Sequence, residues 1–158
     1  MSLINWLIYN IFDYSITVEK PTQIVQAKKQ LISMYRYIEK ETGIPYSFIV
    51  AHAEAESNQN PIARGALGEY GLWQFLPKVW FNLMPSTDWK NVNNQAQAYI
   101  KHAKWIISSL GLNMKKTTDR EKFLWVWNAG IGNYRRNVLP RSTKSYIAKV
   151  LNLEEKIV

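Results

Sequence analysis

Glu56-Ser57-Asn58-Gln59-Asn60-Pro61-Ile62-Ala63-Arg64-Gly65-Ala66-Leu67-Gly68-Glu69-Tyr70-Gly71-Leu72-Trp73-Gln74 is the stretch whose reading decides the fold. It opens on an acid at the end of a slim, alanine-rich run, Ala51, Ala53 and Ala55. Asn58, Asn60 and Pro61 are poor helix continuers, so the spacing predicts a helix ending near Glu56-Ser57. Gly65, Gly68 and Gly71 permit backbone conformations that other residues resist. A small irregular or β element is therefore expected around residues 60–75, carrying a second acid, Glu69. Taken alone, Glu56 is a solvated helix-end carboxylate, as most glutamates are. Facing a Gly- and Trp-rich turn from an apolar helix, it is also placed as a general acid, whose chemistry needs a carboxyl shielded by apolar groups.

Outward from this stretch the pattern is helical. Ile24, Leu31, Tyr35 and Ile38 recur at helical spacing up to Gly43, and Ile44-Pro45 restarts the chain into the helix that ends at Glu56. Downstream, Pro77 opens a third helix through Trp80 and Phe81, closed by Pro85. Asn93 to Leu110 is the clearest amphipathic segment, with Ala96, Tyr99, Ile100, Ala103, Ile107 and Leu110 on one face and Gly111 as terminator. Thr118 to Glu121 has the form of a capping box for a helix through Trp127, broken by Gly130 and Gly132. Beyond Pro140 a last helix is expected around Tyr146 to Leu153. The class expected is mostly α (α+β), with one small β or irregular element.

At 158 residues the chain suits one core, large enough to bury roughly 70% of the surface its unfolded form exposes. Residues 1–20 read as an N-terminal apolar segment for docking or packing, and residues 21–158 as the domain. The run Leu3 to Phe12 has no Lys or Arg before it and no small-residue cleavage site after it, so it is not expected to act as an export signal. No stretch reaches the roughly 18–20 apolar residues of a membrane span. The net charge of +8 favours polyanionic partners, but the basic residues are scattered, which speaks against a specific nucleic-acid surface. With no cysteine and only two histidines, His52 and His102, neither thiolate nor clustered imidazole ligands exist, and no metal site or cofactor is expected. His52 lies four residues before Glu56 and shares its helix face, a spacing that packing alone also explains. Trp80, Trp89, Trp105 and Trp125 read mainly as core, whereas Trp73, beside Gln74, is expected on a groove wall.

Glu56-Ser57-x-x-Asn60-Pro61-x-Ala63, Gly68, Gly71-Leu72-Trp73-Gln74 and Pro77 match, in register, the signature of lytic transglycosylases of the soluble-lytic, goose-lysozyme-like type. Trp127-Asn128-Ala129-Gly130 resembles that family's YNAG block, and Thr143-Lys144-Ser145-Tyr146 its terminal T-[RK]-x-Y block. The resemblance spans about residues 41–153. It implies a lysozyme-like fold with a groove for peptidoglycan glycan strands. It further implies that Glu56 is the catalytic acid and then base while the 6-hydroxyl of N-acetylmuramic acid attacks, giving a 1,6-anhydro product without metal or cofactor. By the same resemblance Ser57 orients Glu56, Gln74 and Asn128 contact sugar, and Tyr146 approaches the glutamate.

The departures keep a second chemistry open. Glu69 stands where the family usually has Ala, and Glu69-Tyr70-Gly71-Leu72-Trp73-Gln74 also resembles the D-Y-G-I-L-Q block of animal-type lysozymes, whose acid is a second catalytic carboxylate. Glu69 is thus either a turn glutamate or the second carboxylate of a hydrolase. Trp127 replaces a tyrosine, and Ser142 an acid. A non-catalytic component of a virion or secretion assembly, attached through residues 1–20, is the reading from a different class. The setting expected is a phage particle acting on the host periplasm and cell wall, with a cytoplasmic lysis enzyme released through the membrane as the alternative.

Overall fold

Leu31, Met34, Tyr35 and Ile38 lie buried along one side of α1 (Lys20–Thr42), at the i, i+3, i+4, i+7 spacing of a helix stripe. The computed structural model describes residues 20–157. The apolar run Leu3 to Phe12 lies outside them, and so does the side chain of Ile24. Gly43 ends α1 at φ 71°, its N–H donating to the Glu39 carbonyl at 2.8 Å, as the sequence predicts for a C′ glycine. Pro45 then starts α2 (Tyr46–Ser57), in which every residue from Phe48 to Ala53 is buried. A helix buried on all sides needs neighbours on all sides, and the alanines make room for them.

Four more helices supply those neighbours: α3 (Pro77–Leu83), α4 (Val92–Leu110), α5 (Thr117–Arg135) and α6 (Arg141–Glu154). α1 and α6 pack directly on α2, while α4 packs on α1, α3 and α5. α6 runs antiparallel to α2. Ser47, at the start of α2, donates to Glu154 at the end of α6 (3.4 Å), and Tyr146, in the second turn of α6, reaches Glu56 at the end of α2. Tyr99 from α4 and Phe123 and Trp127 from α5 close the remaining side of α2 around His52. The fold is mostly α, as expected. Among the described residues the β content is two isolated antiparallel bridges, Arg64 with Tyr70 and Tyr70 with Phe75, within the segment predicted to hold it.

Two local expectations are corrected. The Thr118–Glu121 capping box does not form. α5 starts two residues earlier than that box would set it, at Thr117 with Lys116 as N-cap and no side-chain cap, and Asp119 accepts from the Asn113 N–H (3.0 Å) and Lys122 (2.9 Å). The last helix begins directly after Pro140, a full turn before Tyr146. The break at Gly130 is present. Its φ of 81° and ψ of 153° interrupt α5, a conformation that a residue with a Cβ resists. Among the described residues no helix is long and apolar enough to cross a membrane.

Candidate active site

The chain reverses after α2 because Asn58 and Gln59 both adopt left-handed backbone, at φ 53° and 57°. Glu56 therefore sits on the last turn of α2, with 16% of its side chain exposed. Ser57 does not touch the Glu56 carboxylate. Its hydroxyl donates to the Leu72 carbonyl at 2.9 Å, with Ala53 O at 3.2 Å, and accepts from the Asn60 N–H at 3.1 Å. It thereby pins the end of α2 to the turn after Gly71.

That turn is held from below by a residue the motif reading missed. Gln95, fully buried on α4, accepts from the Leu72 N–H (2.8 Å) and donates to the carbonyls of Pro61 (2.7 Å) and Trp89 (2.8 Å). A Cβ on Gly71 would collide with the Gln95 side chain, and Gly71 also has φ 70°. The sequence carried one signal: Gln95 lies four residues before Tyr99, on the stripe of α4 that faces the core. On the outer side Arg64 lies 4.8 Å above the Tyr70 ring, which stacks on Trp89 at 4.9 Å and 13°.

Trp73, expected on a groove wall, is instead in the core. It is 0% exposed and packs against Tyr99 at 4.4 Å and Tyr35 at 6.1 Å. The left-handed backbone of Gly71 and Gln74 turns the intervening residues inward. Gln74 is half-buried, and its amide nitrogen is committed to the Gly71 carbonyl at 2.8 Å, so it closes its own turn. Glu69 folds back over Gly65 and accepts from the Leu67 N–H at 2.8 Å. The side-chain groups that meet Glu56 come from α2 and α6, none from the Glu69 loop.

Two expected residues, Glu56 and Tyr146, meet directly, and a third, Asn128, is bonded to α6. Tyr146 donates to Glu56 Oε1 at 2.6 Å, across 90 positions of sequence. One turn later Lys149 donates to the Ala55 carbonyl at 2.6 Å, clamping α6 to the end of α2. Asn128 lies exposed just before the Gly130 break, its Oδ1 accepting from the buried Thr143 hydroxyl at 2.7 Å, which leaves its NH₂ for an outside partner. Trp127, in place of the family's tyrosine, sets its ring edge-on to His52 at 4.7 Å and to His102 at 4.8 Å. His52 is fully buried, its Nε2 lying 3.6 Å from the same Glu56 oxygen that Tyr146 holds. Burial pushes its pKa below the ordinary histidine value, with the nearby Glu56 opposing the shift, so the ring is neutral at pH 7. Burial likewise raises the phenols of Tyr99 and Tyr146, and Glu56 raises both further. Among the described residues no three acidic or imidazole groups cluster as a metal site would require.

The arrangement is a single carboxylate, one oxygen of which is fixed by a phenol and faced by an imidazole, at the end of a buried helix. The family model described as the transglycosylase SLT domain matches residues 33–149, about three-quarters of the chain. Neither the curated proteins nor the solved structures hold a match to it.

Proposed function

The chain belongs to the SLT family of peptidoglycan lytic transglycosylases, and from that premise we propose that Glu56 performs the cleavage alone, releasing 1,6-anhydro ends. Glu56 donates its proton to the glycosidic oxygen between N-acetylmuramic acid and N-acetylglucosamine. The C1–O bond breaks as its electron pair passes to that oxygen. The carboxylate left behind then takes the proton of the muramic 6-hydroxyl as O6 bonds to C1. Atoms and charge balance without water or a second carboxylate.

The observation that carries this reading is the 2.6 Å bond from Tyr146 to Glu56. It brings together, on two antiparallel helices, the acid of the first sequence block and the tyrosine of the last. The transglycosylase route is favoured over hydrolysis because the Glu69 carboxylate is engaged by the Leu67 N–H of its own loop. Asn128, with its free amide hydrogens, is the proposed sugar contact.

Purified sacculi test both halves. Glu56→Gln is expected to lower glycan release by about 10²–10⁴-fold, and wild-type solubilisation by that variant would refute the role of Glu56. Mass analysis of the products should find anhydromuramic ends, whereas reducing muramic ends would move the assignment to a hydrolase and return Glu69 to the mechanism. Delivery by a phage particle, expected from the sequence, concerns residues 1–20, nearly all of them outside the described residues. Mass analysis of purified particles for this chain is its test.

A further inference from the structure

We infer that His52 is a positioning residue, one that delivers an Nε2–H to the Glu56 carboxylate and is fixed in that tautomer by the hydroxyl of Tyr99. This role rests on the proposed acid–base function of Glu56. A neutral imidazole has one donor and one acceptor nitrogen, and the environment decides which is which. His52 is 0% exposed, and its Nδ1 lies 3.1 Å from the Tyr99 hydroxyl. Tyr99 is itself fully buried, and among the described residues that imidazole nitrogen is the one hydrogen-bond partner of its hydroxyl. A buried O–H must donate somewhere, so Tyr99 donates to Nδ1, and the ring proton resides on Nε2.

Nε2 is buried without a hydrogen-bond partner, and the nearest acceptor is Glu56 Oε1 at 3.6 Å. That separation exceeds a hydrogen bond by a few tenths of an ångström. An unpaired buried N–H is costly in the resting state, so a bond that it gains during the cycle favours the stage at which it forms. The stage is supplied by the reaction. When Glu56 gives up its proton it becomes an anion, and the N–H then gains a charged acceptor. Tyr146 and His52 both address Oε1, from α6 and from α2. Oε1 is therefore the held oxygen, and Oε2 is the one left to carry the working proton. The surrounding rings of Phe48, Phe123 and Trp127 prevent the imidazole from turning away.

The test uses the full chain and soluble, uncross-linked glycan strands. His52→Leu is expected to lower kcat about ten- to hundredfold with KM changed less than about twofold. His52→Gln should restore most of the rate, its carbonyl accepting from Tyr99 and its NH₂ facing Glu56. Independently of activity, ¹⁵N–¹H spectra of the wild-type imidazole should show the Nε2–H tautomer, and this measurement decides if the leucine variant does not fold. A proton on Nδ1 would overturn the inference, as would a leucine variant with wild-type kcat or a loss that glutamine fails to rescue. Glu56→Gln, assayed alongside, separates the two failures: if it stays active, the reading of Glu56 fails, whereas the tautomer result stands or falls by itself.

Discussion

Tyr146 and Glu56 form the contact on which the proposed function rests, and its removal has a calculable cost. A hydrogen bond to a charged group contributes about 1.5–3 kcal/mol. Tyr146→Phe keeps the ring and removes the donor, so kcat should fall roughly ten- to hundredfold while the melting midpoint drops by only a few degrees, which steady-state kinetics and a melt measure together. Loss of folding instead would make the tyrosine a packing residue. Glu56 and Tyr146 were both legible as candidates, since each lies in a recognisable block, and the structure brings the two together. Trp73 was misread for a physical reason. An aromatic beside a polar residue at a turn has the composition of a groove wall, and only the left-handed backbone of Gly71 and Gln74 shows which way it points. The involvement of His52 was equally hidden, because a histidine four residues before an acid has the same spacing in a core as in an active site.

At the scale of elements, the loop between α2 and α3 is held by α4 as much as by its own glycines. Gly71 and Gly111 make a controlled pair: both have positive φ, 70° and 64°, but a Cβ at Gly111 meets nothing within 4 Å, whereas one at Gly71 strikes Gln95. Gly111→Ala should therefore cost about 1–2 kcal/mol of unfolding free energy, the backbone term alone. Gly71→Ala should cost clearly more, since it also displaces a glutamine that satisfies backbone groups of Leu72, Pro61 and Trp89. Urea titrations of the two variants make the comparison, and equal losses would show that Gln95 does not fasten the loop. Helix positions were largely readable from period and from Pro and Gly. Two starts are exceptions: α6 begins about a turn early, and α5 enters at Thr117 without a side-chain cap, where Asp119 makes other local bonds, to Asn113 and Lys122. The loop's shape was readable only as freedom. Its fastening was not, because a glutamine on an amphipathic helix carries no mark of what its amide binds.

For the molecule as a whole, the buried phenols set the alkaline limit of stability. Burial raises Tyr35, with Tyr46 and Glu54 adding to the shift, and burial and Glu56 raise Tyr99 and Tyr146. In the unfolded chain all three ionise near pH 10. Folded values above the unfolded ones mean that their contribution is complete below about pH 10 and is lost as pH rises past it. Three such groups imply a decline of about 4 kcal/mol per pH unit beyond that point. Denaturant midpoints followed from pH 9 to 11.5 should show it, and Tyr35→Phe should flatten the slope by about a third. A slope that Tyr35→Phe leaves unchanged would mean that the Tyr35 phenol titrates alike in both states.

The distance along the chain between α2 and α6 also orders events in time. At roughly 5–20 residues per second of synthesis, the 90 residues between Glu56 and Tyr146 separate their emergence by about 5 to 20 s. Through that interval the carboxylate exists without the phenol that fixes it and without the Lys149 clamp on the end of its helix. On the proposed role of Glu56, a half-made chain is thus disarmed by its own topology, and competence awaits the synthesis of α6.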